Sequence, residues 1–543
     1  MLTEDETRAA LAEVAGRIVA RAKARARHQR QPLAEVINQT LVHERERLRK
    51  PNYSEDPEAD KRFYARIARE LPVASDTVQA KLFEEIVQRY LAEIRGHFSP
   101  FFYGLSTRIT PVVLGAMLTS LEPRSLIRAG RRLARPEGSI VIEGDVARLR
   151  RLRELGTVVV TPTHSSNLDS LVIGLAMHML GMPPLLYGAG LNLFRNRIIG
   201  RFLYNLGAYT VDRLKTDPLY RDVLKEWTAA TLEFGQDNLF FPGGTRSRSG
   251  ALEARLKRGL LGASLTAYRN NLRLRRPKPR VFVVPCTLSY PLVLEAQTLI
   301  EDHLKEAGRS RFIIIDDEFS RLERWVEFLR GLIALDAKIH VRIGEPLDPF
   351  GNDVDEQGRS LDPRGRVIDP AGYLMDHGKL VEDPARDAEY TDGLAVRIVE
   401  SFARHNVALP THVAAFAVFE RLRRDSAEPD LFRFLRDVGP ETSLAQAELV
   451  EELDGVLAAL RRLHAAGRVQ LEAALDRGPV AVLEAALRSF ASYHTHPVLE
   501  RKGLRIHVGD ANLLFFYRNR LAGYPIFGDG RRANARPTAQ VDA

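Results

Sequence analysis

The chain has 543 residues, a formal net charge of +9, and hydrophobic and charged fractions of 45% and 27%. That length exceeds one ordinary hydrophobic core, and that composition excludes a disordered or fibrous chain. A single cysteine, Cys286, excludes an internal disulfide framework and any cysteine-built metal site, and fits a reducing, cytoplasmic compartment.

The basic balance points to solvated surface charge or to an anionic partner: lipid headgroups, phosphate substrates, coenzyme A or nucleic acid. A nucleic-acid role would rest on charge alone, since the sequence holds no recognisable binding module. The first residues, Met1 to Ala10, are acidic and polar and lack the apolar stretch of a signal peptide.

Residues 1–135 read as a helical region, with apolar residues at three-to-four spacing such as Val36, Ile37, Leu41 and Leu48. Arg17, Arg21 and Arg25 recur every four residues and line one helix face, either solvated or in contact with anionic lipid. From 136 to 375 the pattern changes to short β-branched runs alternating with amphipathic stretches. Strands are expected at 139–143, 157–161, 238–241, 281–285, 312–315 and 339–343, and helices at 218–234 and 252–268. Such apolar strands with helical crossovers predict an α/β layer around a largely buried sheet.

The charge-poor stretch 170–194 is broken by Gly174, Gly181, Pro183 and Pro184, so it reads as a buried helix and a loop rather than a membrane span. Residues 351–370, rich in Gly, Pro, Asp and Arg, read as a long exposed loop. Residues 376–528 form a C-terminal helical region, and 529–543 an Arg- and Ala-rich disordered tail. Within that region Leu513 to Arg520 is an apolar-aromatic run that packs against the core or serves as a membrane foot.

Chemistry concentrates in Thr161-Pro-Thr-His164-Ser-Ser-Asn-Leu-Asp169, which follows a strand and opens a helical stretch. The turn after a strand is where α/β proteins bind ligands. Asp169 can fold back to accept from one imidazole nitrogen of His164, which fixes the tautomer and leaves the other to take a proton. That makes a general base without a protein nucleophile. By spacing alone the pair proves little: with 14 histidines, about one His–x4–Asp match is expected by chance.

Three further segments add weight. Gly207-Ala-Tyr-Thr-Val-Asp212-Arg213 is β-prone and ends in a charge pair. Phe240-Phe-Pro-Gly243-Gly244-Thr-Arg246-Ser-Arg248 leads from a strand into a glycine turn and two arginines that can fork onto a phosphate, with Lys257 able to join the same pocket. Val283-Val-Pro285-Cys-Thr-Leu-Ser-Tyr290 is a strand carrying a proline, as at a sheet edge or strand end.

In this order the segments resemble the four blocks of the glycerolipid acyltransferase family, closest to the large glycerol-3-phosphate and dihydroxyacetone-phosphate acyltransferases. The blocks match at His164 and Asp169, at Gly207–Arg213, at Phe241–Ser247, and at Val284 and Pro285. His340 to Leu347 and the segment from Leu394 to Ala415 look like the flanks of the larger members. The resemblance covers about 139–425.

The resemblance implies a mixed, largely buried sheet flanked by helices. It implies transfer of a fatty acyl group from acyl-CoA or acyl-carrier protein to the sn-1 hydroxyl of glycerol 3-phosphate, with no resident cofactor and no metal. His164 would be the base and Asp169 its orienter, and the attack would be direct. Arg246 and Arg248 would hold the acceptor phosphate, Arg213 would support the pocket, Gly244 would shape the turn, and Pro285 would help form the acyl channel. The lipid product implies a peripheral or monotopic contact with the cytoplasmic face of the inner membrane.

One departure stands out: Gly243 occupies the place of the family's glutamate, with Glu253 or Asp212 as candidate substitutes. Lysophosphatidate or dihydroxyacetone phosphate as acceptor, a non-catalytic lipid-binding relative, and a serine hydrolase using Ser165, Ser166 or Ser170 are the competing readings. The last lacks a Gly-x-Ser-x-Gly elbow.

Overall fold

The computed structural model describes residues 3–28, 32–49, 57–96, 140–190, 207–212, 214–307, 338–494 and 496–527, with the isolated positions 99, 104 and 205. The strand expected at 312–315, Arg213 and the tail from 529 onward lie outside the described residues.

The centre is a seven-stranded sheet. Its strands are β1 (Ile140–Gly144), β2 (Gly156–Pro162), β3 (Leu186–Gly190), β4 (Ala208–Val211), β5 (Asn238–Leu239), β6 (Arg280–Ser289) and β7 (Ile339–Ile343). The order is β1-β7-β6-β2-β5-β3-β4, parallel throughout except for the antiparallel pair β6–β7. The sheet is therefore mixed, as expected.

Successive residues of a strand face opposite sides, and the sequence uses that alternation to feed two cores. Val159, Val281 and Val283 pack with helices Arg258–Arg273 and Pro384–His405. Val158, Val160, Val284 and Cys286 pack with helix Asp169–Met179 and with the C-terminal helices. An unbroken apolar strand is the sequence mark of a sheet covered on both faces, and β2 is buried along its whole length. The second core continues without a gap to Leu453, Phe490 and Leu513.

Three expectations need correction. Residues 186–190 form β3 where a loop was expected. Gly181, at φ +66°, closes the preceding helix after Met179, and the small residues of the strand let it lie close beneath the Tyr209 ring: a Cβ at Gly188 would sit 2.9 Å from it. The helix expected at 252–268 begins at Arg258 instead. Lys257 N–H donates to Pro242 O at 2.8 Å, which folds residues 252–257 back over the glycine turn.

The loop expected at 351–370 contains a three-stranded meander, Asp353–Val354, Ser360–Leu361 and Val367–Ile368. Asp355 and Asp362 each accept two backbone amides across their turns, and Gly358 and Gly365 supply the positive φ that closes them.

The N-terminal helices α1 (Glu4–His28), α2 (Leu33–Leu48), α3 (Pro57–Glu70) and α4 (Asp76–Ile94) share a core with Tyr209 and helix Pro218–Glu233. The arginine stripe of α1 is engaged by the protein itself along its first two members, and only Arg25 stays largely exposed. Arg17 donates to Glu233 at 2.8 Å and Arg21 to Glu226 at 2.5 Å, while Arg25 lies 3.9 Å from Asp222. The stripe docks α1 on an acidic face that the sequence pattern of α1 alone cannot reveal.

The C-terminal region is mostly helical and adds a small antiparallel sheet of Ser443–Ala445, Leu499–Lys502 and Arg505–Val508. The aromatic run from Leu513 lies on helix Ala511–Asn519, with Leu513 to Tyr517 all buried, so it packs against the core. No helix of the described residues is long and apolar enough to cross a membrane.

Candidate active site

Two neighbouring parallel strands, β2 and β5, end side by side and deliver the main segments to one place. Val160 pairs with Leu239, so the loop after β2 and the glycine turn after β5 emerge together. The His164 ring stacks on Phe241 with centroids 3.9 Å apart and planes 18° from parallel. Ser247 N–H donates to His164 O at 2.8 Å, tying the arginine-bearing turn to the histidine backbone.

Asp169 starts a helix, where a carboxylate is favoured by the unpaired amides and the helix dipole. It reaches backward instead of capping its own helix. Oδ2 lies 2.9 Å from His164 Nδ1 and accepts the amides of Ser165 at 2.7 Å and Ser166 at 2.9 Å. Tyr290 donates its hydroxyl to Oδ1 at 2.7 Å. Asp169 is wholly buried, whereas His164 keeps 8% of its surface exposed. With Nδ1 taken by the carboxylate, proton exchange with a bound molecule falls to Nε2.

Two more carboxylates grip the same loop. Glu295, fully buried, accepts from Ser166 Oγ at 2.8 Å and from the Asn167 amide at 3.1 Å. Glu253 Oε1 accepts the His164 amide at 2.6 Å. Desolvation of its carboxyl, packed between the folded-back segment and the turn, pushes Glu253 up to about 7, against the opposing pull of the His164 amide. Cys286, buried on the next strand, has its thiol pushed up to about 12 and is inert at neutral pH.

Of the basic residues, Arg246 lies 3.5 Å from Glu295 Oε1 and is largely covered. Arg248 turns outward to Glu306 at 2.6 Å in a mostly exposed pair, an interaction weak enough to be exchanged for another anion. Lys257 lies over Gly244: a Cβ at that glycine, which holds φ +78°, would come within 2.7 Å of Lys257 Cδ. Pro285 is buried in β6 beside Thr161, just upstream of His164. Asp212 accepts the Leu214 amide and sits at the end of β4. Three strand spacings of roughly 4.8 Å separate β4 from β2, so Asp212 is about 14 Å away.

Sequence reasoning missed Tyr290, Glu295 and Arg520 as parts of this site. Tyr290 lies in a segment singled out for its proline. Glu295 and Arg520 carry no local signal, because their partners are distant in sequence. Arg520, buried just beyond helix Ala511–Asn519, donates to Asn406 Oδ1 at 2.7 Å, to Leu288 O, and to Ser165 Oγ at 3.4 Å. The same helix approaches the arginine turn so closely that a Cβ at Gly250 would sit 2.3 Å from Phe516 O. A cavity of about 20 Å³, room for roughly one water, lies among Ser165, Ser247, His412 and Arg520.

Two of the serine hydroxyls serve other partners, Ser166 donating a hydrogen bond to Glu295 and Ser165 accepting one from Arg520. Among the described residues no cluster of three or more His, Cys, Asp or Glu could hold a metal ion. What the arrangement offers chemically is an oriented imidazole next to a basic turn.

Comparison with known proteins agrees with that chemistry. Residues 145–289 match the family model described as Acyltransferase. The chain is 31% identical over 146 residues to a glycerol-3-phosphate acyltransferase of Xanthomonas axonopodis pv. citri (strain 306), covering 27% of this chain and 16% of the relative. It is 29% identical over 204 residues to that of Ectopseudomonas mendocina (strain ymp), 37% and 23% of the two chains. With the Pseudomonas putida enzyme of the same name it shares 26% over 329 residues, 58% and 36%. The chain thus spans between about a sixth and about a third of the length of these relatives.

Proposed function

We propose that the chain, whose residues 145–289 match the Acyltransferase family model and which resembles glycerol-3-phosphate acyltransferases in part, transfers a fatty acyl group from acyl-CoA or acyl-carrier protein to the sn-1 hydroxyl of glycerol 3-phosphate. The observation that carries this reading is the 2.9 Å contact of His164 Nδ1 with a buried carboxylate, beside a turn bearing Arg246 and Arg248.

In this mechanism Nε2 of His164 takes the proton of the acceptor hydroxyl as its oxygen attacks the thioester carbonyl. The C–O bond forms, the C–S bond breaks, and the departing thiolate recovers the proton from the imidazolium. The Asp169 carboxylate stabilises that imidazolium and fixes the ring. No acyl-enzyme forms. Arg246 supplies the paired donors that suit a phosphate, and Arg248 joins it by releasing Glu306. Lys257 adds charge above the turn. Arg213, Gly244 and Pro285 keep the supporting roles that the family resemblance gives them.

Lysophosphatidate or dihydroxyacetone phosphate would present the same phosphate to the same arginines, so the acceptor is decided by assay. The product is a lipid, which supports a peripheral or monotopic contact with the cytoplasmic face of the inner membrane.

The test is incubation of purified protein with a long-chain acyl-CoA and labelled glycerol 3-phosphate, dihydroxyacetone phosphate or lysophosphatidate. The expected product is lysophosphatidate from glycerol 3-phosphate, abolished in His164→Ala. Free fatty acid as sole product would replace this reading with hydrolysis. Absence of turnover from folded, lipid-binding protein would replace it with a non-catalytic role.

A further inference from the structure

The mechanism leaves one carboxylate beside His164 unused. Glu253 lies on the segment that folds back over the glycine turn, and its Oε1 accepts the His164 amide at 2.6 Å. A Cβ built on Gly243 would lie 3.1 Å from Glu253 Cγ and 3.6 Å from its Oε1. The φ of Gly243 lies outside the left-handed region, so the backbone there would accept any residue. What a side chain at 243 would crowd first is the Glu253 side chain, which would have to shift by a few tenths of an ångström. Positions 243 and 253 address one volume, and the glycine at the first admits the carboxylate of the second.

We propose that Glu253 is a positioning residue of the transfer site, its carboxylate filling the space of a side chain at 243 and holding the His164 backbone in register with the arginine turn. The proposal deepens the functional reading above and rests on His164 as the base.

Several observations converge on it. The His164 backbone is fixed from both sides, its amide by Glu253 and its carbonyl by the Ser247 amide. Ser247 stands between Arg246 and Arg248, so two backbone hydrogen bonds tie the carboxylate, the base and the arginine turn together. The charged groups facing Glu253 are Arg520, which favours its ionised form, and Asp169, which opposes it. Desolvation holds its carboxyl near neutrality, so its amide bond to His164 strengthens as it ionises. Asp212, the other acid near these motifs, stands too far away to take this part.

The experiment compares wild type, Glu253→Ala, Glu253→Gln, Gly243→Glu and the double variant Gly243→Glu/Glu253→Ala. All are first checked for native circular dichroism. A displaced reacting group costs on the order of 100-fold in rate, so Glu253→Ala is expected to lose about that in kcat, with acceptor KM changed less than about threefold. The double variant is expected to recover at least about tenfold of the loss, because its carboxylate re-enters the vacated volume. Gly243→Glu alone is expected to be impaired, with two carboxylates competing for one space. A double variant no better than Glu253→Ala, or a loss confined to KM, would overturn the proposal.

A second readout does not depend on turnover. In labelled protein the His164 amide resonance is expected far downfield and to shift upfield in Glu253→Gln, while residues remote from the site stay put. An unchanged His164 amide would overturn the proposal even if wild type proves active. A wild type that acylates no phosphate acceptor would remove the functional reading and leave Glu253 to be judged by this resonance alone.

Discussion

Tyr290 donates a hydrogen bond from its hydroxyl to Asp169 Oδ1 at 2.7 Å, closing a chain that runs from the end of β6 through the carboxylate to His164. Asp169 is wholly buried, so each lone pair needs a donor. Burial and the adjacent carboxylate hold the Tyr290 phenol well above its ordinary pKa, which keeps it a donor at any working pH.

Tyr290→Phe removes that donor without changing the ring. A buried carboxylate left short of one partner costs about 1–3 kcal/mol, so a lower Tm is expected. If Asp169 orients the base, kcat falls about tenfold while acceptor KM holds. Steady-state kinetics on folded protein would settle the point, and an unchanged kcat would remove Tyr290 from the orienting chain.

Much of this was legible beforehand, for physical reasons. The strands at 157–161 and 281–285 announce themselves because a sheet covered on both faces needs unbroken apolar runs. His164 and Asp169 fall within one turn, so their meeting is a local matter. The Gly243-Gly244 turn is likewise local, and sheet order brings it to His164 because β2 and β5 are neighbours. Strand β3 was misread because helix-breaking Gly and Pro also mark loops. Glu295 and Arg520 were invisible because their value comes from contacts 129 and 355 residues away. Arg17 and Arg21 were misread for the same reason: a cationic stripe looks alike whether it faces water, lipid or an acidic helix.

Arg246 is the basic side chain of the turn held closest to the loop, through Glu295. Arg246→Ala is expected to raise acceptor KM by about 10- to 100-fold, the loss of one strong charge-assisted contact at 1.4 kcal/mol per tenfold. Acyl-donor KM should stay within about threefold. Arg246→Lys should restore little, because an ammonium cannot present the paired planar donors of a guanidinium. Equal changes in both KM values would argue against a phosphate role.

His412 gives a pH dependence of stability. Burial, with a smaller push from Arg520, lowers its pKa to about 3, far below the ordinary histidine value near 6.5. The folded form keeps it neutral while the unfolded chain binds a proton below about pH 6.5. Its contribution is therefore present above that value and is lost as pH falls toward 3. His494, lowered by burial to about 4, adds a loss in the same direction. The Tm is expected to fall steadily from pH 6.5 to 4. His412→Gln should flatten that fall by up to one proton, about 1.4 kcal/mol per pH unit. An unaltered slope would show that His412 does not stay neutral in the fold.

The arginines of α1 separate packing from membrane contact. Glu233, buried by its side chain, is held by Arg17 and by Asn270 Nδ2 at 2.8 Å. Arg17→Ala leaves that carboxylate with a neutral partner only, at a cost of about 1–3 kcal/mol, moderated by the partial exposure of the pair. A lower Tm is expected, with sedimentation on anionic vesicles unchanged, because Arg17 has no charge to spare for lipid. Whatever vesicle binding the protein shows should then weaken with salt equally in wild type and variant. Loss of vesicle binding at an unchanged Tm would return the stripe to the membrane and would mean that α1 undocks from helix Pro218–Glu233 at the bilayer surface.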